Sequence, residues 1–528
     1  MPLGIDNRII ESIDYKLAIK RIKNDLQSDF IYAPHLNAIF HRAGGELWDF
    51  LSRKLRNYLY EPRLPLVLEV PKANGFTRPG SILWPCERLA YQIAVDTIAP
   101  IAESALDRSR VFSCVLLQED PDGFMFKSPR ECYAEFEERK LSYLKSEEYT
   151  HSLKADISSY FERLYQHVLI NLLEDAGCER QVIKFLEQLL LAFMQKDSHG
   201  IVQGVYPSDF LGSFYLISLD ARYETDSIPS VRYVDDFYTF YRTPRDALIN
   251  KIQLSSWLRT DGLNLNEAKT DVYKVEDLIQ EETEIDRMLE SAKEEAFAEL
   301  NRIDFYSSTI SWDFLYEDIV PEEAEVSLPK LEATKLLFNQ KDVSPKTRDK
   351  IDRVCLTIFT AAKDDIAVDY VLKQFSSKPH MAQIYAKYLL PFIKQEEEIC
   401  ERVERIFSTK DLIYEYQIHW IYALLMFSSR ISNNTVITAI RHLRDVSRSE
   451  IIRAVSAVFI GKFGGPAQRR LLRTHYQNEA SSYVRAAIIY ALKHFPKSER
   501  DTYFRAWGGH DEIYPLVINA AKQMIGKD

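Results

Sequence analysis

Cysteine is scarce and scattered. The six residues Cys86, Cys114, Cys132, Cys178, Cys355 and Cys400 include no C-x-x-C pair. That argues against a disulfide framework and a structural zinc site, and fits reduced, mostly buried thiols in a cytosolic protein. Long apolar runs are also missing. The richest, LEQLLLAFM, is too short to cross a bilayer and reads as a buried helix, so no membrane association is expected. The opening MPLGIDNRII lacks a basic stretch followed by an apolar one, so no secretory leader is expected either. Positive charge is lacking overall: the formal net charge is −11, which argues against a dedicated binder of long duplex nucleic acid. What is present is an ordinary soluble mixture, 46% apolar and 27% charged. Over 528 residues it predicts two or three domains with sizeable cores, and excludes a disordered or collagen-like chain.

Residues 1–60 show helical periodicity with few breakers and read as an N-terminal helical extension. From residue 61, EPRLPLVLEVPKANGFTRPGSILWP mixes Pro and Gly with short aliphatic runs, which suits a strand–turn–strand hairpin. ERLAYQIAVDTIAPIAESAL is helical again, and residues 150–270 alternate strand-like pieces with helices, giving a mixed α/β core. Residues 271–328 hold 18 acidic and 4 basic residues and read as a solvated helical connector. From 329 to 528 helices dominate. SEIIRAVSAVFIGKF (449–463) and SSYVRAAIIYALKHF (481–495) match at Ser, Arg-Ala and the final Phe, 32 residues apart. QIHWIYALLMF, ending at Phe427, and AQIYAKYLLPF, ending at Phe392, fit the frame more loosely. Such helices resemble HEAT-like repeats, which stack because one helix pair cannot bury its own face. A non-repetitive helical bundle is the alternative. The fold class expected is therefore α+β.

The most informative string is VRYVDDFYTFY, residues 231–241. Asp235 and Asp236 stand between aromatic and β-branched residues in what otherwise reads as a buried strand pair. Two adjacent carboxylates are costly to bury unless a cation neutralises them, so a tight hairpin with both at its turn is a candidate divalent-metal site. An ordinary surface turn is the alternative for this string alone. LKADISSYFERLYQH adds Asp156 at the end of a short strand. Three such carboxylates are what two-metal phosphoryl transfer needs.

With these strings the sequence resembles the reverse transcriptase palm, and further motifs follow in that family's order. EVPKANGFTRP (69–79) looks like the fingers hairpin, whose cations contact the incoming triphosphate, here Lys72 and Arg78. DISSYF (156–161) looks like the first catalytic carboxylate motif, and Phe161 matches the steric gate that excludes the ribose 2′-hydroxyl. VQGVYPSDFLGSFYLISLD (202–220) is similar to the Q-G-x-x-x-S-x-x-L-x-x-x-Y-L-x-x-x-D pattern of bacterial reverse transcriptases, with Gln203 placed to pack against the nucleotide. DGLNLNEAKT (261–270) resembles the following G-L-x-L-N-x-x-K-T motif, where Lys269 is a candidate proton donor to pyrophosphate. His167, in the helix after Asp156, reads as packed or solvated.

The resemblance covers about two-fifths of the chain, with fingers and palm over 61–270. No thumb is evident, because no primer-grip string follows Lys269. No RNase H-like, endonuclease or basic maturase-type pattern follows either. A polymerase core with a helical-repeat C-terminus resembles the abortive-infection (Abi) reverse transcriptases of bacterial antiviral defence. That resemblance implies a bacterial cytoplasmic enzyme using dNTPs and two Mg²⁺ ions, with Mn²⁺ as a substitute. It implies template-independent DNA synthesis, priming from a protein tyrosine, a single-stranded DNA product attached covalently, and homo-oligomers. Tyr32, Tyr58 and Tyr60 are N-terminal priming candidates among 30 tyrosines. Two alternatives stay open: a templated, retron-like enzyme copying an RNA template, and a catalytically inactive polymerase-fold scaffold.

Charge is distributed unevenly. Residues 1–270 sum to −6, 271–328 to −14 and 329–528 to +9. The acidity is concentrated in the connector, and the basic C-terminal half is expected to line a single-strand path through residues such as Arg469, Arg470 and Arg473.

Overall fold

The computed structural model describes residues 2–118, 120–280, 328–341, 343–409 and 411–526. Its N-terminal part is helical as expected, with helices Asn7–Ser12, Tyr15–Leu26, Pro34–Arg42 and Gly44–Arg56. Asp14 starts the second by accepting from the backbone N–H groups of Lys16 and Leu17. These helices are not a free-standing extension. Helix Tyr15–Leu26 packs on helix Pro85–Ser104, and helix Pro34–Arg42 packs on the last helix, Tyr514–Gln523. Buried apolar side chains from both ends of the chain belong to one continuous cluster.

Strands β1 (Leu66–Pro71) and β2 (Thr77–Ile82) form the expected hairpin. The register pairs Leu66 with Ile82, Leu68 with Gly80 and Val70 with Arg78. Cross-strand partners share a face, so Arg78 lies on the inner face with buried Leu68, Val70 and Ile82.

The mixed core is built on a second, antiparallel sheet in the order β4-β5-β3-β6. Its strands are β3 (His151–Ala155), β4 (Ser230–Tyr233), β5 (Asp236–Tyr241) and β6 (Asp271–Lys274). The last of these corrects the boundary drawn at residue 270. Asp271–Lys274 pairs with β3 from Lys154 to His151, so the sheet runs into the segment expected to be a helical connector. Net charge cannot reveal this, because edge-strand residues facing water tolerate Asp and Lys. Helix Val275–Gln280 follows, and the rest of the acidic segment, 281–327, lies outside the described residues.

Beyond it the described residues are helical. Helices Ala382–Ile393, Glu415–Leu425, Glu450–Phe463 and Ser482–Ala491 pack each on the next. The serines shared by the two best-matched strings are helix N-caps: Ser449 accepts from the Ile452 N–H and Ser481 from the Val484 N–H. Gly461 lets two of these helices approach closely, since a Cβ there would stand 2.6 Å from the Cβ of Ala491.

The two halves meet over residues 27–32. Lys387 donates to the Gln27 carbonyl at 3.0 Å and Gln383 to that of Asp29 at 2.9 Å. Trp420 Nε1 donates to the Phe30 carbonyl at 3.2 Å, and the Tyr32 N–H donates to His419 Nε2 at 3.0 Å. The Tyr414 hydroxyl donates to the Gly75 carbonyl at the hairpin tip, at 2.9 Å. Among the described residues no helix is long and apolar enough to cross a membrane.

Gly461→Ala is expected to destabilise the chain by about 1–3 kcal/mol, because the new methyl meets Ala491 main chain as well as its side chain. Thermal unfolding checks this; an unchanged melting temperature would mean that the helix pair relaxes freely.

Candidate functional site

The register of the second sheet assembles the carboxylates. β3 pairs with β5 through Ala155 opposite Phe237. The next residues outward are Asp156 and Asp236, which therefore face each other where the two strands end. β4 and β5 close through Tyr233 opposite Asp236, leaving Val234 and Asp235 as a two-residue turn. Asp156, Asp235 and Asp236 are thus brought together as expected.

Two of the three carboxyls are displaced by their surroundings. Burial and the neighbouring charges of Asp236 and Asp156 push the Asp235 carboxyl up to about 7. Asp236 is raised as well, by the surrounding protein and by Asp156, which stands within hydrogen-bonding reach. Lys269 joins them, its Nζ 2.8 Å from Asp156 Oδ1. Burial works against the Lys269 charge, but the bond to Asp156 and the nearby Asp236 and Asp235 outweigh it, and its pKa is raised.

The segment carrying Lys269 runs alongside the Asp156 backbone. The Asn266 N–H donates to the Asp156 carbonyl at 2.8 Å, and the Ser158 N–H to the Asn264 carbonyl at 2.8 Å. Asn266 Nδ2 also donates to Asp156 Oδ2 at 2.7 Å. Asn266 belongs to the same LNLNEAKT string as Lys269, and its contact with Asp156 is set by the fold.

The turn is held at both of its peptide groups. Val234 has φ +55°, a left-handed conformation that a β-branched side chain adopts at a cost of order 1–3 kcal/mol. Its N–H donates to Ser113 Oγ at 2.9 Å and its carbonyl accepts from Arg232 Nη1 at 3.1 Å. Arg232 is buried and forks onto Asp220, with Nε–Oδ1 3.1 Å and Nη2–Oδ2 2.6 Å. It also donates to the Ser213 carbonyl at 3.0 Å. The arginine beside the paired aspartates and the aspartate closing the 202–220 string are therefore one buried ion pair beneath the turn. An arginine inside an otherwise apolar strand was the available signal; Ser113 had none.

The remaining candidates fall into two places. Phe161 lies against Gly212, where a Cβ would stand only 2.7 Å from its ring. Tyr160 beside it donates to the Gly212 carbonyl at 2.6 Å. Gln203 precedes Gly204, whose φ is +81° and where a Cβ would stand 2.8 Å from the Phe30 ring. The Arg78 guanidinium stacks over the same ring, 4.4 Å from its centroid. Phe30 thus joins the hairpin to the Gln203 turn, a role with no signature in sequence. Lys72 follows β1 at the hairpin tip, its N–H bonded to the Phe76 carbonyl at 2.7 Å. His167 is exposed and stacks on Tyr165, apart from the carboxylates. Tyr32 and Tyr60 are buried, whereas Tyr58 is 53% exposed.

The basic C-terminal surface differs from expectation. Arg469 donates to the Gly461 and Lys462 carbonyls, at 2.9 and 3.2 Å. Arg473 pairs with Glu499 at 3.3 Å and donates to the Tyr503 hydroxyl at 2.7 Å. Of the three arginines named above, only Arg470 is exposed. Counting charge overlooks how helix Pro466–Asn478 ties itself to its neighbours.

Residues 71–297 match the family model described as reverse transcriptase (RNA-dependent DNA polymerase). The chain carries a reverse transcriptase domain. That domain is of the RNA-directed DNA polymerase kind. No curated protein matches the chain. Among solved structures it is similar to telomerase from Candida tropicalis in complex with a TWJ fragment of telomeric RNA, with 13% identity over 69% of this chain and 65% of that one, TM-score 0.32. Apo telomerase from the same organism gives 12% identity, 74% and 67% coverage and TM-score 0.31. Telomerase from Candida albicans with the TWJ fragment gives 12%, 83% and 64%, with TM-score 0.29. The chain spans just under two thirds of the first of these.

Reverse transcriptase domains generally use divalent metal ions, typically Mg²⁺. The donors here suit such an ion in chemistry: three carboxylates, hard oxygen ligands, two of them raised in pKa by burial and by neighbouring carboxylates. Among the described residues no three acidic, His or Cys side chains already form a metal-holding group, and both Asp156 oxygens are bonded to Lys269 and Asn266.

The raised Asp235 pKa has a definite consequence for stability. The folded chain holds this proton up to about pH 7, the unfolded chain only to about pH 4, so folding loses stability as pH rises between them. In chelator at pH 8, Asp235→Asn is expected to melt above the parent protein by about 2 °C or more. The gap should close toward pH 4, and Mg²⁺ should narrow it at pH 8 by stabilising the parent. Equal melting at pH 8 would show that the charge is already compensated.

Proposed function

We propose that this chain is a DNA polymerase of the reverse transcriptase type acting in bacterial antiviral defence by abortive infection, making DNA without a template and priming from one of its own tyrosines. The observation that carries the polymerase reading is the facing of Asp156 and Asp236 across β3 and β5, with Asp235 in the adjoining turn. In this reading the three aspartates hold two Mg²⁺ ions, with Mn²⁺ as a substitute. When bound, the ions supply an activated 3′-oxygen and neutralise charge on the triphosphate and departing pyrophosphate.

The chain's own residues do the rest. Lys72 and Arg78 hold phosphate oxygens, and Gln203 packs on the nucleotide. Phe161 closes the space a 2′-hydroxyl would need, its ring held in place by Gly212. Lys269, kept protonated beside Asp156, is the proton source for pyrophosphate. The Asp220–Arg232 pair and Ser113 fix the turn that presents Asp235. The defence role, template-free synthesis, covalent DNA product, homo-oligomeric state and bacterial cytoplasmic setting rest on the likeness to Abi enzymes, and HEAT-like stacking of the C-terminal half rests on the repeated helix strings. Of the three tyrosines considered for priming, Tyr58 is the one open to solvent.

The test is incorporation of labelled dNTPs by the purified chain with Mg²⁺, with and without added template, before and after protease. Label that travels with the protein in the absence of template is the expected result. Strict dependence on added RNA would replace this reading with a templated, retron-like enzyme. Asp235→Ala is expected to lower incorporation at least about 10³-fold, because the domain's catalytic charge is lost with it. Absence of incorporation by the parent protein would favour a scaffold.

A further inference from the structure

The turn that presents Asp235 leans on a stretch of chain outside every motif string. Residues 107–114 follow helix Pro85–Ser104 and run along β4, the outermost strand of the second sheet. The Phe112 N–H donates to the Arg232 carbonyl at 3.0 Å, and the Arg232 N–H donates to the Arg110 carbonyl at 2.8 Å. Arg110 Nη1 adds bonds to the Ile228 carbonyl and Ser230 Oγ, both at 2.8 Å. Ser113 then reaches the turn itself, accepting from the Val234 N–H at 2.9 Å. Its hydroxyl is buried and also meets Ser213 Oγ at 3.2 Å.

No helix or named strand runs through residues 107–114 to keep Ser113 in place. The next residue, Cys114, has φ +51°, a left-handed conformation that a side chain other than glycine adopts at a cost. One guanidinium holds this stretch together. Arg108 Nη1 donates to the Val111 and Ser113 carbonyls, at 3.2 and 2.8 Å, and Nη2 donates to that of Cys114 at 3.1 Å. Glu103, at the end of helix Pro85–Ser104, grips the same group: Nε–Oε1 is 2.7 Å, and Nη2 also bonds Oε2. All five N–H donors of Arg108 are thereby engaged, in a planar fork that lysine cannot reproduce.

We propose that Arg108 is a positioning residue for the Asp235 carboxylate, acting through Ser113. By fixing the carbonyls around Ser113 to the end of a buried helix, it sets where the serine hydroxyl meets the Val234 amide. Val234 is strained, so a turn released on its amide side relaxes toward ordinary backbone conformations and carries Asp235 away from Asp156 and Asp236. The effect on synthesis rests on the polymerase reading; the hold on the turn does not.

Two measurements on the full chain test this. In amide hydrogen exchange without metal or nucleotide, Arg108→Ala is expected to speed exchange about tenfold in peptides covering residues 231–237. Peptides from helix Glu450–Phe463 should keep the parent's rates. In incorporation of labelled dNTPs with Mg²⁺, under the template condition the parent uses, kcat should fall about 10- to 100-fold with KM within about twofold of the parent's. Ser113→Ala should lose a similar factor, and the double variant should lose no more than the worse single variant, because both changes remove one support. Losses that multiply would show that Arg108 does not act through Ser113 and would overturn the proposal. Unchanged kcat in an incorporating Arg108→Ala protein would overturn it as well. Arg108→Lys should recover part of the rate, and Glu103→Gln, which loosens the same guanidinium, serves if Arg108→Ala does not fold. A parent protein that incorporates nothing would sink the polymerase reading, and exchange at residues 231–237 would then decide whether Arg108 holds the turn.

Discussion

Where β3 and β5 end, their register brings the side chains of Asp156 and Asp236 face to face, and the turn adds Asp235 beside them. Gathering three like charges opposes folding, and most of the surrounding polar structure answers that one difficulty. Lys269 and Asn266 occupy the two oxygens of Asp156, and the raised pKa values of Asp235 and Asp236 record their burial and, after it, the neighbouring carboxylates. A stable protein has no use for such an arrangement in itself. Its sense lies in what the excess negative charge can bind.

A second cost is accepted at the same point. Val234 is held in a left-handed conformation that its branched side chain disfavours, and only a surrounding structure that over-determines it can keep it there. Ser113 grips its amide and Arg232 its carbonyl, while Asp220 and the Ser213 carbonyl fix Arg232 in turn. Rigidity reaches the turn from three separate stretches of chain. The carboxylate of Asp235 is therefore aimed by buried hydrogen bonds and not by the short strands alone.

Much of this was legible before any fold was known, because the chemistry is local in sequence. The paired aspartates, the strand-end Asp156, the lysine after LNLNEA and the hairpin cations each sit in a short string whose residue types restrict what it can do. The helical repeat strings likewise announced their helices through Ser caps and apolar periodicity. What was not legible depends on distant partners. Phe30 carries no signal that it will lie under Arg78, and Ser113 none that it will hold Val234. Asp271–Lys274 looked like part of an acidic helix because its pairing with β3 is set by tertiary register. Arg469 and Arg473 looked like free charge because carbonyl and glutamate partners cannot be seen in composition.

The packing of helix Pro34–Arg42 on Tyr514–Gln523 has a consequence for how the molecule comes into being. Gln523 donates to the Arg42 carbonyl across 481 positions of sequence. During synthesis the early helix leaves the ribosome long before its companion exists, by on the order of half a minute or more at typical elongation rates. Its apolar face must meanwhile be sheltered by a chaperone or by provisional contacts with the hairpin and helix Pro85–Ser104. Completion of this packing thus waits until helix Tyr514–Gln523 has emerged, and a nascent chain stalled before it remains an unfinished object with an open seam.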